Sequence, residues 1–168
     1  MLEQAVVRES EQGPVSAIDT PGPRWALRPV LPVDVEVLTE LRAEVMRADL
    51  ERLGRYDEHR VRQRLRDSLS FRHTSAIEVD GALAGCVTLR PVAAGQWLEH
   101  FYLATRHQGR GLGASVLRTL LATTDAQRLD VRLDVLQGSP ARRLYERHGF
   151  TVESEDPVDV TMHRPAAS

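Results

Sequence analysis

The chain has 168 residues, the size of one domain, and its 42% of apolar residues is enough for an ordinary buried core. A formal net charge of −2 excludes the overall positive field with which many nucleic-acid-binding proteins attract phosphates. The single cysteine, Cys86, excludes an intramolecular disulfide and lies in an apolar run, where we expect a small buried side chain. No Cys/His spacing typical of zinc is present, so we expect no metal.

The ends of the chain suggest where it works and where it folds. No apolar run approaches the roughly 20 residues of a membrane-spanning helix, and the charged first residues do not resemble a secretory signal. We therefore expect a cytoplasmic protein with no membrane partner. Residues 1–23 hold scattered proline and glycine with little periodicity, which predicts a flexible tail. Residues 24–168 are expected to form the folded domain.

The folded region is predicted to open with a strand and two helices. Residues 25–28 are typical of a short strand. Pro32 suits the first turn of a helix, apolar residues then recur at helical spacing, and Gly54 is a plausible stop. Asp57 is placed to cap a second helix.

From Thr74 the apolar period changes from helix to strand. Residues 75–79 form one predicted strand, Asp80-Gly81 a hairpin turn, and residues 83–90 the returning strand, which Pro91 is expected to end. Residues 96–104 alternate well enough for a further strand.

The second half of the chain predicts two more helices and three more strands. They are, in order, a helix over 113–126, a strand over 131–136, a helix over 140–148 closed by Gly149, and antiparallel strands over 150–155 and 158–162. The order β-α-α-β-β-β-α-β-α-β-β predicts an α+β fold with a mixed sheet. The crossover through the helix at 113–126 should be parallel and right-handed.

The segment Gln108-Gly109-Arg110-Gly111-Leu112-Gly113-Ala114 is the most informative in the chain. Its glycines allow close approach of the backbone to a ligand, and the helix that follows offers free amides and a positive dipole end. Arg110 can add a charge-assisted contact, so we expect a phosphate or pyrophosphate site. A tight turn without a ligand is the simpler alternative.

A dinucleotide-binding fold is a second alternative for this loop. Gly109-x-Gly111-x-x-Ala114 satisfies the G-x-G-x-x-G/A fingerprint, and Asp134 follows 20 residues later. That fingerprint usually opens a repeated βαβ array, however, whereas here a hairpin precedes it. We therefore regard the match as weak.

Two sequence blocks together resemble the GNAT acetyltransferase superfamily. His100-Phe101-Tyr102-Leu103-Ala104 followed by Gln108–Gly113 resembles the family's fourth strand and its Q/R-x-x-G-x-G/A pyrophosphate loop. Residues 141–150, ARRLYERHGF, resemble the family's A-x-x-L-Y-x-x-x-G-F segment. The chain is identified as a member over roughly Arg24 to Arg164.

The resemblance implies a GNAT-like, mostly antiparallel mixed sheet with flanking helices and a splayed central strand pair, near 97–104 and 131–136. Acetyl-CoA would be the co-substrate, wedged between those strands and paired with backbone groups around Tyr102 to Ala104. Ser139 is expected to contact it where many relatives carry asparagine at Gly138. The implied cofactor-binding residues are Tyr102, Leu103, Ala104, Gln108, Gly109, Arg110, Gly111, Leu112, Gly113, Ala114 and Ser139.

Acetyl transfer to an amine requires a base, donors for the oxyanion and a proton for the departing thiolate. Tyr145 is the expected general acid, because it matches the family's tyrosine; a packing role is the alternative. Glu99 is the expected base, with His100 as its rival. Alternation predicts that Glu99 shares a strand face with Phe101, opposite His100. A backbone amide near Leu103 would hold the oxyanion.

We therefore expect an N-acetyltransferase that acts on a primary amine by direct attack in a ternary complex, with no nucleic-acid partner. A non-catalytic acyl-CoA-binding sensor is the alternative from a different class. A homodimer is common in such folds, although no residue specifies one. The arginines of the first two helices form either a solvated charged face or a wall on which one arginine binds a substrate carboxylate. They are Arg52, Arg55, Arg60, Arg62, Arg64 and Arg66.

Overall fold

The structure, a computed structural model, describes residues 24–168, so the predicted flexible tail lies outside the described residues. Its strands form one seven-stranded sheet in the order β1-β2-β3-β4-β5-β7-β6. The strands are β1 (Trp25–Pro29), β2 (Thr74–Val79), β3 (Ala82–Val92), β4 (Gly95–Leu103), β5 (Val131–Leu136), β6 (Thr151–Glu155) and β7 (Asp159–Arg164). The helices are α1 (Val35–Arg52), α2 (Glu58–Ser68), α3 (Leu112–Ala126) and α4 (Ala141–Arg147).

Every neighbouring pair of strands is antiparallel except β4 and β5, which run parallel and are connected through α3. The predicted α+β fold with a mixed, mostly antiparallel sheet is therefore confirmed. Within residues 24–168, no helix is long and apolar enough to cross a membrane. The same range contains no group of three or more His, Cys, Asp or Glu side chains arranged to hold a metal ion.

Local signals in the sequence set several element boundaries. The Asp57 carboxylate accepts hydrogen bonds from the amides of His59 and Arg60 at 3.0 and 2.8 Å, which caps α2 as expected. Gly54 follows the end of α1 with φ of +70°, a conformation that costs glycine little. Asp80 and Gly81 form the turn between β2 and β3, both with positive φ.

The prediction that Pro91 ends β3 is wrong. β3 continues to Val92, and Pro91 lies opposite Gln96 of β4. The partner on the other side, β2, has already ended its pairing at Thr88. Proline, which cannot donate to a ladder, is tolerated here because β3 has become an edge on that side.

β4 and β5 pair over three residues and then separate. The pairs join Gln96–Leu98 of β4 to Val131–Leu133 of β5, and none joins the later parts of the two strands. β5 stays bonded to β7 along its whole length, and β4 stays bonded to β3 as far as Leu103. The predicted splayed pair is thus confirmed, and it opens a wedge in the middle of the sheet.

The sheet lies between two layers of helices, each with its own core. On one face α3 and α4 pack against the strands around Leu117, Leu133 and Phe150. On the other face α1 and α2 cover a second cluster that contains Leu65 and Cys86. Cys86 is a fully buried free thiol, as expected, and burial raises its pKa to about 12.

Two phenylalanines allow a matched test of the α3/α4 core. Phe150 is 2% exposed and contacts the ring of Tyr145, whereas Phe71 is 48% exposed. We expect Phe150→Ala to lower the free energy of unfolding by about 3–5 kcal/mol, because it removes a large buried side chain and leaves a cavity. Phe71→Ala should cost less than about 1 kcal/mol. Urea unfolding of both variants measures the difference, and equal losses would contradict this description of the core.

Candidate active site

The wedge between β4 and β5 ends at a short loop that leads into α3. A 3₁₀ turn over Thr105–His107 follows β4. The side-chain amide of Gln108 then donates to the Leu103 carbonyl at 2.8 Å, which ties the loop back to the end of the strand. The loop therefore has a fixed position beside the open part of β4.

Two glycines give the loop its shape. Gly109 and Gly111 have φ of +73° and +83°, in the left-handed region, and Gly111 is the residue from which α3 starts. At Gly113, in the first turn of α3, a Cβ would lie 3.5 Å from the Leu103 side chain and 3.7 Å from that of Leu144, at ordinary van der Waals distance. Gly109 and Gly111 are thus needed for the turns, whereas the position of Gly113 would also admit a small side chain.

The main-chain amides of residues 109–114 find no acceptor within the described part of the chain. The next amide, that of Ser115, donates to the Gly111 carbonyl at 3.0 Å and begins the helical pattern. Six consecutive amides at the start of a 15-residue helix form a site suited to an anion, since the helix dipole adds partial positive charge there. The exposed side chain of Arg110 stands in the same loop.

The open edge of β4 offers backbone groups towards the wedge. The amide of Ala104 donates to the Ala84 carbonyl of β3 at 2.9 Å. Because successive residues of a strand direct their N–H and C=O groups to opposite sides, the groups of Leu103 point away from β3, towards the wedge. Gly85 lies so close to the Tyr102 carbonyl that a Cβ there would overlap it. The path of β4 therefore depends on a glycine in β3.

A β-bulge in β4 changes which side chains share a face. The register with β3 passes from Glu99 opposite Thr88 to Tyr102 opposite Cys86, so β4 holds one extra residue at this point. His100 in the bulge has φ of +46°, which is uncommon for a residue other than glycine. The bulge interrupts the two-residue alternation of the strand.

The predicted alternation of β4 is consequently wrong. Phe101 packs with the α3/α4 core and Tyr102 with the α1/α2 core. Glu99 lies with His100 and Tyr102 on the α2 side rather than with Phe101. Both predicted base candidates therefore face the same region.

That region is a groove of about 500 Å³ between α2 and β4, referred to below as the α2 groove. Glu99 is one-quarter exposed there, and the Arg90 guanidinium donates to its carboxylate at 2.8 Å. The groove has carboxylates and guanidinium groups together. It is lined by His59, Arg60, Gln63, Arg64, Asp67, Ser68, Glu99 and His100.

The arginines of α1 and α2 do not form one uniform surface. Arg62 and Arg66 make ion pairs with Glu40 and Glu36, which join α2 to α1. Arg60 and Arg64 line the α2 groove, as noted above, whereas the guanidinium of Arg52 donates to the carbonyl of Gln137 in the loop before α4. The charged face is thus partly a contact between helices and partly a wall of the groove.

Tyr145 lies on α4, with its ring in the α3/α4 core and edge-to-face against Phe150 at 5.7 Å between centroids. Burial, with a smaller contribution from the nearby Tyr102, raises the pKa of its phenol above the usual value. The phenol therefore keeps its proton at neutral pH. Tyr145 and Glu99 belong to opposite faces of the sheet.

Ser139 lies beside a second hollow of about 450 Å³ at the start of α4. Its hydroxyl oxygen accepts a hydrogen bond from the Ala141 amide at 3.2 Å, so its own proton is free to be donated. Gly138 has φ of +77°, and the guanidinium of Arg52 packs against it. An arginine from α1 thus lies over the turn that leads into α4.

Sequence reasoning missed two contacts of this site. It did not pair Arg90 with Glu99, and it did not foresee that Arg42 of α1 would reach Tyr102, with 2.9 Å between Nε and the phenol oxygen. Arg90 and Glu99 lie in the regular part of the ladder, whereas Tyr102 follows the bulge at His100, which places it on the same face as Glu99. The first contact requires the register between β3 and β4, and the second requires the bulge; no local signal in a single sequence marks either.

The part of the chain that forms the wedge and the glycine loop matches a model of a known protein family. Residues 71–152 match the family model described as the acetyltransferase (GNAT) domain. The match contains β4, the glycine loop, α3, β5 and α4. No curated protein matches the sequence significantly.

Solved structures share the fold at low sequence identity. A PaiA N-acetyltransferase from Thermoplasma acidophilum in complex with coenzyme A is 21% identical, with a TM-score of 0.69 over 84% of this chain and 99% of that chain. The ribosomal-protein-S18-alanine N-acetyltransferase from Escherichia coli is 15% identical, with a TM-score of 0.65 over 86% and 96%. N-acetylglutamate synthase from Neisseria gonorrhoeae, complexed with coenzyme A and N-acetyl-glutamate, is 18% identical, with a TM-score of 0.63 over 86% and 36%.

Proposed function

The chain belongs to the GNAT acetyltransferase family through residues 71–152, and on that premise we propose that it transfers the acetyl group of acetyl-CoA to a primary amine. The amine would attack directly in a ternary complex. The observation that carries the proposal is the run of six open amides over residues 109–114 beside the wedge. The coenzyme A in two structures of the same fold supports it.

The residues of the loop fit a diphosphate. Amides 109–114 and the Arg110 guanidinium would bind it, because several N–H donors and a full positive charge converge at a helix start. The Leu103 carbonyl, on the open backbone edge of β4, would accept from a pantetheine amide as in an added strand, which leaves the Leu103 amide for the chemistry. Gln108 would keep the loop in place through its bond to the Leu103 carbonyl. The free hydroxyl proton of Ser139 would be donated to the cofactor.

Three groups of the chain would carry the chemistry. Glu99 would take the proton that the amine must lose, and the Leu103 amide would donate to the oxyanion as the new C–N bond forms. Tyr145 would donate its phenolic proton to the sulfur when the thioester C–S bond breaks. Because Glu99 and Tyr145 belong to opposite faces of the sheet, each could act on its own side of the wedge.

The α2 groove would receive the acceptor. Glu99 and Asp67 suit an ammonium group before it loses its proton, and Arg60 and Arg64 suit an anionic group elsewhere on the same molecule. An amine that also carries a carboxylate fits this combination. The acceptor panel should therefore contain amino acids and peptides as well as simple amines and polyamines.

Two glycines provide a matched test of the loop. Gly81 and Gly111 share φ of +83°, and a Cβ at either meets open space. Gly81→Ala and Gly111→Ala should therefore lose similar stability, about 1 kcal/mol each. Only Gly111→Ala should weaken binding of acetyl-CoA, by about tenfold, because it disturbs the amides. Isothermal titration measures both variants; equal affinity in the two would count against the loop as the binding site.

Glu99→Gln should lower kcat/KM by roughly 10²-fold or more, since it removes the base but preserves the shape of the side chain. The limb of the pH–rate profile on which activity rises with pH should disappear. Glu153→Gln is the matched control, because Glu153 makes a comparable ion pair with Arg132 away from the wedge. If Glu99→Gln keeps the wild-type pH profile, Glu99 is only a partner of Arg90.

Tyr145→Phe should lower kcat by roughly 10²-fold and leave the affinity for acetyl-CoA unchanged, because only the proton donor is lost. Tyr56→Phe removes a phenol whose ring contacts Arg47, and it is expected to keep wild-type turnover. Release of free thiol across the amine panel measures turnover. Binding of acetyl-CoA by the wild-type protein with no thiol release from any amine would refute catalysis and favour a sensor.

A further inference from the structure

A chain of hydrogen bonds crosses the α1/α2 side of the wedge. The Arg42 Nε and the Tyr102 hydroxyl are 2.9 Å apart, and the Tyr102 hydroxyl and His100 Nδ1 are 3.1 Å apart. His100 Nε2 lies 2.9 Å from Ser68 Oγ, which lies 2.5 Å from the Arg64 carbonyl oxygen. The chain thus connects α1, the bulge of β4 and the last residue of α2.

The direction of the chain follows from its α2 end. A carbonyl oxygen can only accept, so the single hydroxyl proton of Ser68 is donated to the Arg64 carbonyl. Ser68 Oγ can then only accept from His100, which requires a hydrogen on Nε2. In a neutral imidazole Nδ1 is then an acceptor, and the Tyr102 hydroxyl donates to it.

The α1 end requires the same direction independently. A guanidinium can only donate, so Arg42 donates to the Tyr102 oxygen and leaves the Tyr102 proton for His100. Arg42 is 5% exposed, and none of the carboxylates in residues 24–168 lies within ion-pair distance of it. Its second contact is the Val61 carbonyl. A second positive charge on His100 would be unfavourable beside it.

The surroundings of His100 keep its ring neutral. The side chain is 8% exposed, and burial is the main cause that lowers its pKa to about 4. Arg42 of α1, Arg64 of α2 and Arg90 of β3 lower the pKa further, against the opposing effect of Glu99. At neutral pH both ring nitrogens are therefore occupied by hydrogen bonds, one as donor and one as acceptor.

We propose that His100 is a positioning residue, fixed as the neutral imidazole with its hydrogen on Nε2, and that it leaves proton removal to Glu99. The first half of this proposal, the fixed tautomer, rests on the hydrogen-bond chain alone. The second half, proton removal by Glu99, rests on the proposed acetyl transfer. With Nδ1 engaged by Tyr102 and Nε2 already protonated, His100 has no free lone pair for a substrate proton. Its role is to hold the bulge that lets Glu99 face the α2 groove while Phe101 packs with the α3/α4 core.

The backbone supports this role. His100 holds φ of +46°, a conformation of the kind that persists when surrounding contacts enforce it. Its ring is tied to α1 through Tyr102 and to α2 through Ser68, and its carbonyl oxygen accepts from the Cys86 thiol at 3.1 Å. Without the bulge, Glu99 and Phe101 would share one face, so Glu99 could not face the α2 groove while Phe101 packs with the α3/α4 core.

Nitrogen NMR of the wild-type protein labelled with ¹⁵N-histidine tests the first half directly. We expect His100 to show a bonded hydrogen on Nε2 and none on Nδ1 throughout pH 6 to 8. His100→Asn, which suits a positive φ, identifies the signals among the six histidines. A hydrogen on Nδ1, or on both nitrogens, would overturn the assignment whether or not the protein acetylates anything.

Variants of residues in the hydrogen-bond chain test the direction in which its protons are donated. Tyr102→Phe removes the donor to Nδ1 but leaves the contact of Nε2 with Ser68, so we expect the hydrogen to stay on Nε2 and the Nδ1 signal to shift as it loses its hydrogen bond. Tyr56→Phe, which removes a phenol that is not part of the hydrogen-bond chain, should leave the His100 signals unchanged. If Tyr102→Phe also leaves them unchanged, the Tyr102 hydroxyl does not donate to Nδ1 and the proposed direction is wrong.

Kinetics separate the two candidate bases. His100→Asn should lower kcat by about tenfold to a hundredfold through misplacement of Glu99, yet keep the midpoint of the rising pH limb. Glu99→Gln should remove that limb. The reverse pattern, with the limb lost in His100→Asn and kept in Glu99→Gln, would make His100 the base. Absence of turnover in the wild-type protein would refute the proposed function and leave the tautomer result standing.

Discussion

The separation of β4 from β5 after three residue pairs is the constraint on which the rest of the structure depends. A strand edge inside a sheet normally satisfies its backbone groups by pairing, and here two central strands forgo that pairing over their carboxyl-terminal halves. The neighbouring strands compensate, because β3 and β7 remain bonded beyond the point of separation. Since α3 starts beside the same opening, the free strand edge and the free helix amides lie together, and one extended ligand can satisfy both.

The bulge at His100 is the second determinant of the site. One inserted residue lets Phe101 and Leu103 pack with the α3/α4 core while Glu99 and Tyr102 face the helices on the other side. A regular strand would place Glu99 and Phe101 on the same face. The insertion therefore allows β4 to complete one core and to supply an acidic side chain to a polar groove. Gly85 makes this path possible, since any side chain there would meet the Tyr102 carbonyl.

Much of the fold follows from local signals in the sequence. Local strand-like patterns predict all seven strands, and Asp57, Gly54 and the Asp80-Gly81 turn act as predicted because their effects are confined to neighbouring residues. The prediction that Pro91 ends β3 is wrong because a strand tolerates proline where its neighbour has ended, and the end of β2 cannot be read from the residues around Pro91. The predicted alternation of Glu99 and Phe101 is wrong for a related reason. The bulge between them is stabilised by residues of α1 and α2 that are at least 32 positions away in sequence. The glycine loop was recognisable because its shape is encoded in adjacent residues.

Burial of the only cysteine has a practical consequence for the study of this protein. Thiols react as thiolates, and a pKa of about 12 with a fully buried sulfur makes Cys86 inert to disulfide reagents in the folded chain. A colorimetric assay of released coenzyme A would therefore have no background from the protein itself. Conversely, the appearance of one reactive sulfur per chain would report that the contact between β3 and the two N-terminal helices has opened, so the chain contains its own reporter of unfolding.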